Sequence, residues 1–282
     1  MAFPPTAGAQ SDKKKKYLII GGIALIVVIV VIALTLGLFF GLSKDRDKGE
    51  NDQSKTPTQA ILIFGGKDTS VNSGSHIQTY CPSNDKYSCD NTQVISAGMI
   101  EPGYGGFIAV MGDYVLVKFN YIAGTTNVSS ATQLYNYRTN QISRVNDFPI
   151  PIVRTAAASV GDAVFVCGGQ SGDLKTLYKR CWGLYKSDLN GWQDLSFSLP
   201  DARANHVMVY MNKTLYVIGG QDSTGATLGS MLYRHISDST WKTGPSLQTP
   251  SYGSAAGAVG VGIVLCGGLN GRIKVSLSLL GL

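Results

Sequence analysis

The sequence of 282 residues predicts an all-β repeat protein that follows one long apolar segment near the amino terminus. Two observations support this fold class. A short apolar stretch closed by two glycines returns at a spacing of about fifty residues, and 26 residues from Tyr17 to Leu42 contain no charged side chain. A fixed period of this length is typical of arrays in which each unit packs only on its neighbours.

The glycine pairs define the repeat. They are Gly65 and Gly66, Gly168 and Gly169, Gly219 and Gly220, and Gly267 and Gly268. The last three pairs are 51 and 48 residues apart, whereas the first two are 103 apart. A degenerate copy is therefore expected between the first two, and Leu116–Asn120 fits it with its glycines lost. The sequence thus predicts five units.

Two positions ahead of each glycine pair are apolar in every unit. The third residue before the pair is Leu62, Leu116, Phe165, Tyr216 or Val264, and the second is Ile63, Val117, Val166, Val217 or Leu265. Adjacent apolar positions indicate a strand that is buried on both faces. Glycine after such a strand permits positive φ and a close approach of neighbouring backbone.

Further residues recur downstream of the glycines. Tyr178 and Trp192 follow the third pair, and Tyr233 and Trp241 follow the fourth. This pattern resembles the kelch repeat over roughly residues 59–282. The resemblance implies a β-propeller whose blades are four-stranded antiparallel sheets around a central channel. We expect Trp241 to anchor the outer strand of the fourth blade against Tyr233.

Local patterns add two expectations within this repeat. A hairpin is predicted from His206–Met211 through Asn212 and Lys213 into Thr214–Gly219. His206 itself is expected to have a structural role.

The number of blades is open at the level of sequence. The first unit lacks a strand before Ala60–Phe64, and the last has two strands, with a third one expected in Ile273–Leu280. The two ends either complement each other in a five-bladed ring or belong to a truncated six-bladed ring. An incomplete ring exposes strand edges, which favours self-association.

The apolar segment Tyr17–Leu42 is long enough to cross a bilayer of about 30 Å at about 1.5 Å per residue. We therefore expect a single transmembrane helix that acts as an uncleaved signal anchor. Lys13–Lys16 precede it, and the basic excess favours a cytoplasmic amino terminus, which makes this a type II membrane protein. The predicted organisation is a basic tail (1–16), the helix (17–42), a flexible polar stalk (43–58) and the propeller (59–282).

Charge gives no indication of nucleic-acid binding. The chain carries a net charge of +6, of which residues 1–16 contribute three. The remainder is an ordinary protein surface, and the lysine block suits anionic lipid head groups.

Glycosylation and disulfide formation are both expected outside the cytoplasm. Asn127 and Asn212 begin N-x-S/T sequons. Cys81 and Cys89 flank a short polar loop of the first unit and are the first candidates for a disulfide. Cys167 and Cys181 are a second candidate pair, but for Cys167 and for Cys266 we favour the interpretation as small buried apolar side chains.

No pattern of residues indicates catalysis. The three histidines have no metal-ligand spacing, so neither a metal nor a cofactor is expected. The sequence predicts a binding module that contacts the lipid bilayer through residues 17–42 and a protein or glycan through the loops Asn120–Ala131, Gln170–Lys175 and Gln221–Gly229. The alternatives are a cytosol-facing kelch adaptor, a propeller enzyme of the oxidase or glycosidase type, and a truncated product without a stable fold.

Overall fold

The computed structural model describes residues 61–64, 77–80, 93–95, 98–123, 125–259, 262–270 and 277–281. These residues form strands, turns and loops. Within them there is no helix long and apolar enough to cross a membrane, and Tyr17–Leu42 lies outside them. The architecture of the described part is therefore all-β.

Five sheets follow one another along the chain. The first contains β1 (Ile61–Phe64), β2 (Ile77–Tyr80) and β3 (Gln93–Ile95). The short β4 (Gly103–Tyr104) leads to the second sheet, whose region contains β5 (Phe107–Met111), β6 (Tyr114–Lys118), the short β7 (Tyr121–Ile122), β8 (Thr132–Asn136) and β9 (Gln141–Val145). The second sheet has the order β5-β6-β8-β9, and β4 pairs with β7.

The third and fourth sheets repeat this plan. The third region contains β10 (Ile152–Val153), β11 (Ala156–Val160), β12 (Ala163–Cys167), β13 (Gln170–Ser171), β14 (Arg180–Tyr185) and β15 (Asp188–Ser198). The fourth sheet contains β16 (Val207–Met211), β17 (Thr214–Ile218), β18 (Met231–His235) and β19 (Lys242–Thr243). The fifth contains β20 (Ala255–Val259), β21 (Gly262–Cys266) and β22 (Leu277–Gly281). Their orders are β11-β12-β14-β15, β16-β17-β18-β19 and β20-β21-β22.

Neighbouring sheets meet at their first strands. β5 contacts β11, β11 contacts β16, and β16 contacts β20. Each sheet therefore runs outward from a shared centre, as the blades of a propeller do. Apolar clusters fill the space between successive blades, and the two columns ahead of the glycine pairs are buried wherever their side chains are described. This confirms the sequence prediction for units two to five.

The terminal sheets have three described strands each. β1 is an edge strand of the described part of the first sheet, and β22 confirms the strand predicted near Ile273–Leu280. The two ends form separate sheets, so no described strand of one end joins the sheet of the other.

The predicted hairpin of the fourth unit is confirmed, but the position of Trp241 differs from the prediction. β16 and β17 pair on both sides of Asn212 and Lys213, which have φ of 49° and 60°. Tyr233 stacks on Tyr216 toward the fifth blade, whereas the Trp241 ring lies 6.2 Å from Phe197 of the third blade. Lys242 pairs with Tyr233, and successive strand residues point to opposite faces, so Trp241 faces the other way.

Candidate binding face of the propeller

The blade strands divide the propeller into two ends. We call the end with the hairpin turns, such as Gly161–Asp162 and Asn212–Lys213, the turn face. The opposite end, the loop face, carries the loops that follow the glycine pairs and the links that lead to the next blade. All three of the long loops predicted to bind a partner lie on the loop face.

The glycine pairs shape the loop face because they let a link pass close to a strand end. Gly168 and Gly169 have φ of 65° and 100°, and Gly219 and Gly220 have 65° and 98°. The N–H of Gly169 donates to the carbonyl of Arg203 at 2.8 Å, in the link to the next blade. Gly267 and Gly268 repeat these φ values at 69° and 97°. Gly65 and Gly66 lie outside the described residues.

The second unit reaches the same arrangement with its glycines on the partner strand. Phe119 and Asn120 occupy the usual pair, while Gly105 and Gly106, just before β5, have φ of 64° and 98°. A Cβ atom on Gly106 would lie 2.0 Å from the carbonyl oxygen of Lys118. The close approach is therefore retained although the glycines have changed strands.

Four residues with left-handed backbone conformation form a row at the inner end of the loop face, and we call this row the inner column. Gly105, Arg154, Asn205 and Gly253 each precede an innermost strand and have φ of 64°, 57°, 55° and 64°. The N–H of Asn205 donates to the carbonyl of Arg154, and the N–H of Gly253 donates to that of Asn205, both at 2.8 Å. This inner ladder joins three successive units.

Side-chain hydrogen bonds connect two residues of the inner column to the loops. Arg154 Nη1 donates to Gln170 Oε1 at 2.9 Å, and Asn205 Nδ2 donates to Gln221 Oε1 at 2.9 Å. Each glutamine amide then donates to a carbonyl four residues on, that of Leu174 at 2.7 Å and that of Gly225 at 3.3 Å. Both loops are therefore held in a defined conformation before any partner binds.

Leu174 and Gly225 occupy equivalent left-handed positions in these two loops, with φ of 62° and 83°. Glycine is the usual residue at such φ values, and an L-residue there costs about 1–2 kcal/mol. The Leu174 side chain is nevertheless 43% exposed, so packing does not offset this cost. Backbone strain at an exposed apolar residue points to a function at this loop tip.

Buried charges lie beneath the loop face. Arg203 is 2% exposed and donates through Nη1 to the Gly219 carbonyl at 3.3 Å. His206 is buried, and neither of its ring nitrogens reaches solvent. Burial, together with the charge of Arg203, lowers the pKa of His206 to about 3. The histidine is therefore neutral near pH 7, and its structural role stays a prediction.

Lys118 is a second buried charge, in the second unit. Its side chain is fully buried, and its ammonium donates to the carbonyls of Phe119 at 3.0 Å and Ile152 at 2.6 Å. Burial lowers the pKa of Lys118 to about 7, against the opposing effect of Glu101. This lysine joins the second blade to the link of the third.

A disulfide joins Cys167 and Cys181, which face each other on β12 and β14. It resolves the alternatives for Cys167 in favour of the pair, while Cys266 is free and partly buried. Cys81 and Cys89 lie outside the described residues, so their disulfide stays a prediction.

The other predicted residues lie at separate places. Asn127 is exposed in a loop of the loop face, and Asn212 is exposed on the turn face. Trp192 packs between blades two and three, with its ring 4.7 Å from that of Phe148. None of these residues lies in a common cluster. In the part of the chain that is described, no group of three His, Cys, Asp or Glu residues is arranged to hold a metal ion.

Sequence reasoning predicted the loop Gln170–Lys175 but not the role of Leu174 within it, and it missed the roles of Arg154 and Lys118. For Leu174 a signal existed: when units three and four are aligned from their glycine pairs, Leu174 falls on Gly225. For Lys118 the sequence contains no such signal, because the carbonyl that accepts its hydrogen bond, that of Ile152, belongs to another unit.

Comparison with known proteins agrees with this architecture. Residues 202–248 match the family described as Kelch motif. The chain is 31% identical to a kelch domain-containing protein of Sulfurisphaera tokodaii over 139 residues, and 32% identical to alpha-scruin of Limulus polyphemus over 131 residues. These matches cover 48% and 43% of this chain but 19% and 14% of the relatives, so the chain spans a small part of their length.

A solved structure of YjhT has a similar fold. The TM-score is 0.67 at 13% sequence identity, with 79% of this chain and 78% of that chain covered. The kelch match, the kelch-domain and scruin relatives and this neighbour together support a kelch-repeat protein of propeller-like, all-β fold, of a kind that suggests a protein-interaction module.

Proposed function

We propose that the chain is a membrane-anchored binding module that displays its propeller outside the cytoplasm and contacts a partner through the loop face. The kelch repeats and the scruin relatives favour protein interaction over catalysis. Loops vary freely because the strands are committed to packing between blades. A protein is the preferred partner over a glycan, because the feature that the face offers is apolar.

The exposed Leu174 carries this proposal. Its loop is fixed from below by Gln170 and Arg154, and Asp173 accepts from the Ser171 hydroxyl at 2.6 Å. A large apolar side chain on a preorganised loop loses little conformational entropy on binding. Such a residue is suited to fill a pocket on a partner protein.

The membrane part of the proposal follows from the amino-terminal sequence. Tyr17–Leu42 would span the bilayer, with Lys13–Lys16 on the cytoplasmic side. Residues 43–58 would then act as the stalk of a type II protein. Asn127 and Asn212 are exposed, so both would be accessible for glycans.

Site-specific crosslinking tests the binding face. A photoreactive residue at position 174 of the full chain in cells should give a discrete adduct with a partner protein. The same probe in place of Arg138, which is exposed on the turn face of the second blade, should not. Equal adducts from both positions, or none from position 174, would contradict the proposal.

A variant separates binding from folding. Leu174→Gly should lose the partner yet unfold within about 1 kcal/mol of the parent, since the loop of Gly225 already holds a glycine there. Ile100→Ser, which removes a 50% exposed apolar side chain elsewhere, should retain the partner.

Endoglycosidase treatment tests the topology. The full chain from eukaryotic cells should gain mobility, and Asn127→Gln combined with Asn212→Gln should abolish the shift. An unglycosylated chain whose carboxyl terminus is accessible from the cytosol would favour the cytosol-facing adaptor instead.

A further inference from the structure

The outer strand of the third blade, β15, contains an irregular stretch. Gly183 pairs with Gln193, and Tyr185 pairs with Asp188. A single residue of β14 therefore lies opposite four residues of β15, at positions 189–192. Extra residues of this kind form a bulge and leave the regular register of the two strands. We call residues 189–192 the β15 bulge.

The middle of the β15 bulge is open to water. Asn190 is exposed, and it lines an open groove of about 770 Å³ between the second and third blades. Its backbone N–H donates to Asp188 Oδ1 at 3.1 Å. Within the described part of the chain, the side-chain amide of Asn190 has no hydrogen-bond partner. The side chain is therefore free to turn toward the backbone that follows it.

Gly191 follows Asn190, and the fold does not require a glycine there. Its φ lies outside the left-handed region. Chain neighbours aside, the nearest described atom to a Cβ atom placed on Gly191 is Asn146 Nδ2 at 3.8 Å, which is an ordinary contact. Gly106 and Gly219 differ, because a Cβ atom there would lie 2.0 Å and 2.4 Å from a carbonyl oxygen. The missing side chain of Gly191 instead leaves its backbone nitrogen unshielded.

These features suit deamidation of the asparagine. The backbone nitrogen of Gly191 attacks Cγ of Asn190, and a new C–N bond closes a cyclic imide. The bond from Cγ to the side-chain nitrogen breaks, and that nitrogen leaves as ammonia with the proton of the Gly191 amide. Water then opens the imide at either carbonyl, which gives aspartate or isoaspartate. Glycine after the asparagine hinders the attack least, because it has no Cβ atom and bends freely.

We propose that Asn190 is a site of spontaneous modification, at which water converts the Asn190–Gly191 pair through a cyclic imide into aspartate and isoaspartate. Both products place one more negative charge in the groove. The inference goes beyond the proposed function, since it involves neither the loop face nor the membrane.

Isoaspartate should loosen the contact between the second and third blades. In this product the former side chain becomes part of the main chain, so the path from Leu189 to Trp192 gains one atom. Both of these side chains pack against the apolar cluster between the two blades. The centre of the Trp192 ring lies 4.7 Å from that of Phe148, and its Nε1 donates to Thr132 Oγ1 at 3.4 Å. The added length should displace one of the two side chains from its closely packed position.

Ageing of the full chain in mild detergent at mildly alkaline pH tests the chemistry. Peptide mapping by mass spectrometry should show that Asn190 deamidates at least about tenfold faster than Asn146, which is exposed in the same groove but precedes an aspartate. An isoaspartate-specific methyltransferase should label the peptide that contains position 190. Gly191→Ala should fold as the parent does and should slow deamidation of Asn190 by at least about tenfold.

Melting curves test the structural consequence. The deamidated fraction of the aged parent, separated by ion exchange, should melt about 2–4 °C below the unmodified chain. Freshly purified Asn190→Asp carries the added charge without the added main-chain atom, so its Tm should fall by less than about 1 °C. Gly191→Ala aged in the same way should keep its Tm.

Three results would overturn the inference. They are a rate at Asn190 no higher than that at Asn146, a rate that Gly191→Ala leaves unchanged, and a deamidated fraction that melts together with Asn190→Asp. None of these outcomes affects the crosslink at position 174, so the proposed function can hold while this inference fails.

Discussion

The third and fourth units have nearly the same backbone at the loop face but different side chains behind it. Tyr178 N–H donates to the Gly169 carbonyl and Leu228 N–H to the Gly220 carbonyl, both at 2.8 Å. The strand pair just before the glycines is a disulfide in unit three and an apolar pair, Ile218 and Met231, in unit four. The glycines and the link therefore determine the loop face, and the pair behind them is replaceable.

The second unit extends this comparison. At the same register position Lys118 faces Thr132, and both are buried. One site in the repeat thus accepts an apolar pair, a covalent bond or a buried charge with backbone acceptors. What the three solutions share is that each fills the space and leaves its polar atoms satisfied.

The largest effect should come from the glycines. Gly219 has a φ of 65°, and a Cβ atom there would lie 2.4 Å from the Ser251 carbonyl oxygen of the link. Gly219→Ala should lower the free energy of unfolding by more than about 3 kcal/mol, measured by urea unfolding. Gly161→Ala is the control: its φ is 58° but no atom lies within 4 Å, so it should cost about 1–2 kcal/mol. Equal costs would show that φ alone matters.

Lowering the pH should decrease the free energy of unfolding through His206, which lies where units three and four meet. Because its pKa in the fold is about 3, below the ordinary value near 6.5, its contribution is present above pH 6.5 and is lost as pH falls toward 3. The expected loss between pH 6.5 and 4 is about 3 kcal/mol. His206→Gln is polar but does not titrate, so its unfolding free energy should depend less on pH. An unchanged acid dependence would assign the loss to other groups.

Raising the pH above 7 should increase the free energy of unfolding through Lys118 in the second unit. Its pKa in the fold is about 7, below the unfolded value near 10.5, so the unfolded chain binds more protons between these limits and stability rises with pH. We expect a gain of about 2 kcal/mol between pH 7 and 9. Lys118→Met should abolish that gain in urea unfolding at the two pH values, and an equal gain in the variant would refute it.

The smallest effect should follow from exchanging the pair of unit three for that of unit four. Cys167→Ile with Cys181→Met should change stability by less than about 2 kcal/mol, since the apolar volume offsets the lost crosslink. The double alanine variant, which loses both, should cost roughly 3–5 kcal/mol. If the two double variants are equally unstable, the position is not interchangeable between units.

The sequence was sufficient for the features that depend on a repeated environment. Strands buried on both faces must be apolar at adjacent positions, so Val166 and Val217 could be placed in the core from their spacing alone. The same spacing located β6 despite its lost glycines, and the turn residues of the fourth hairpin fixed its register.

The sequence was insufficient where contacts join different units. Trp241 was assigned to Tyr233, eight residues away, whereas its ring packs on Phe197 of the preceding blade. A residue on an outer strand can face either neighbouring blade, and the residue type does not say which. Leu174 was not singled out within its predicted loop for a related reason, since a positive φ is not visible in a residue name.

The inner ladder has a consequence for how such a chain can change length. At Asn205 one unit offers an N–H to the preceding unit and a carbonyl to the following one. A unit copied in full therefore brings one donor and one acceptor, and the row continues across the joint with no polar atom left over. Tandem duplication or deletion of whole units is thus neutral for this row of hydrogen bonds, whereas a break within a unit is not.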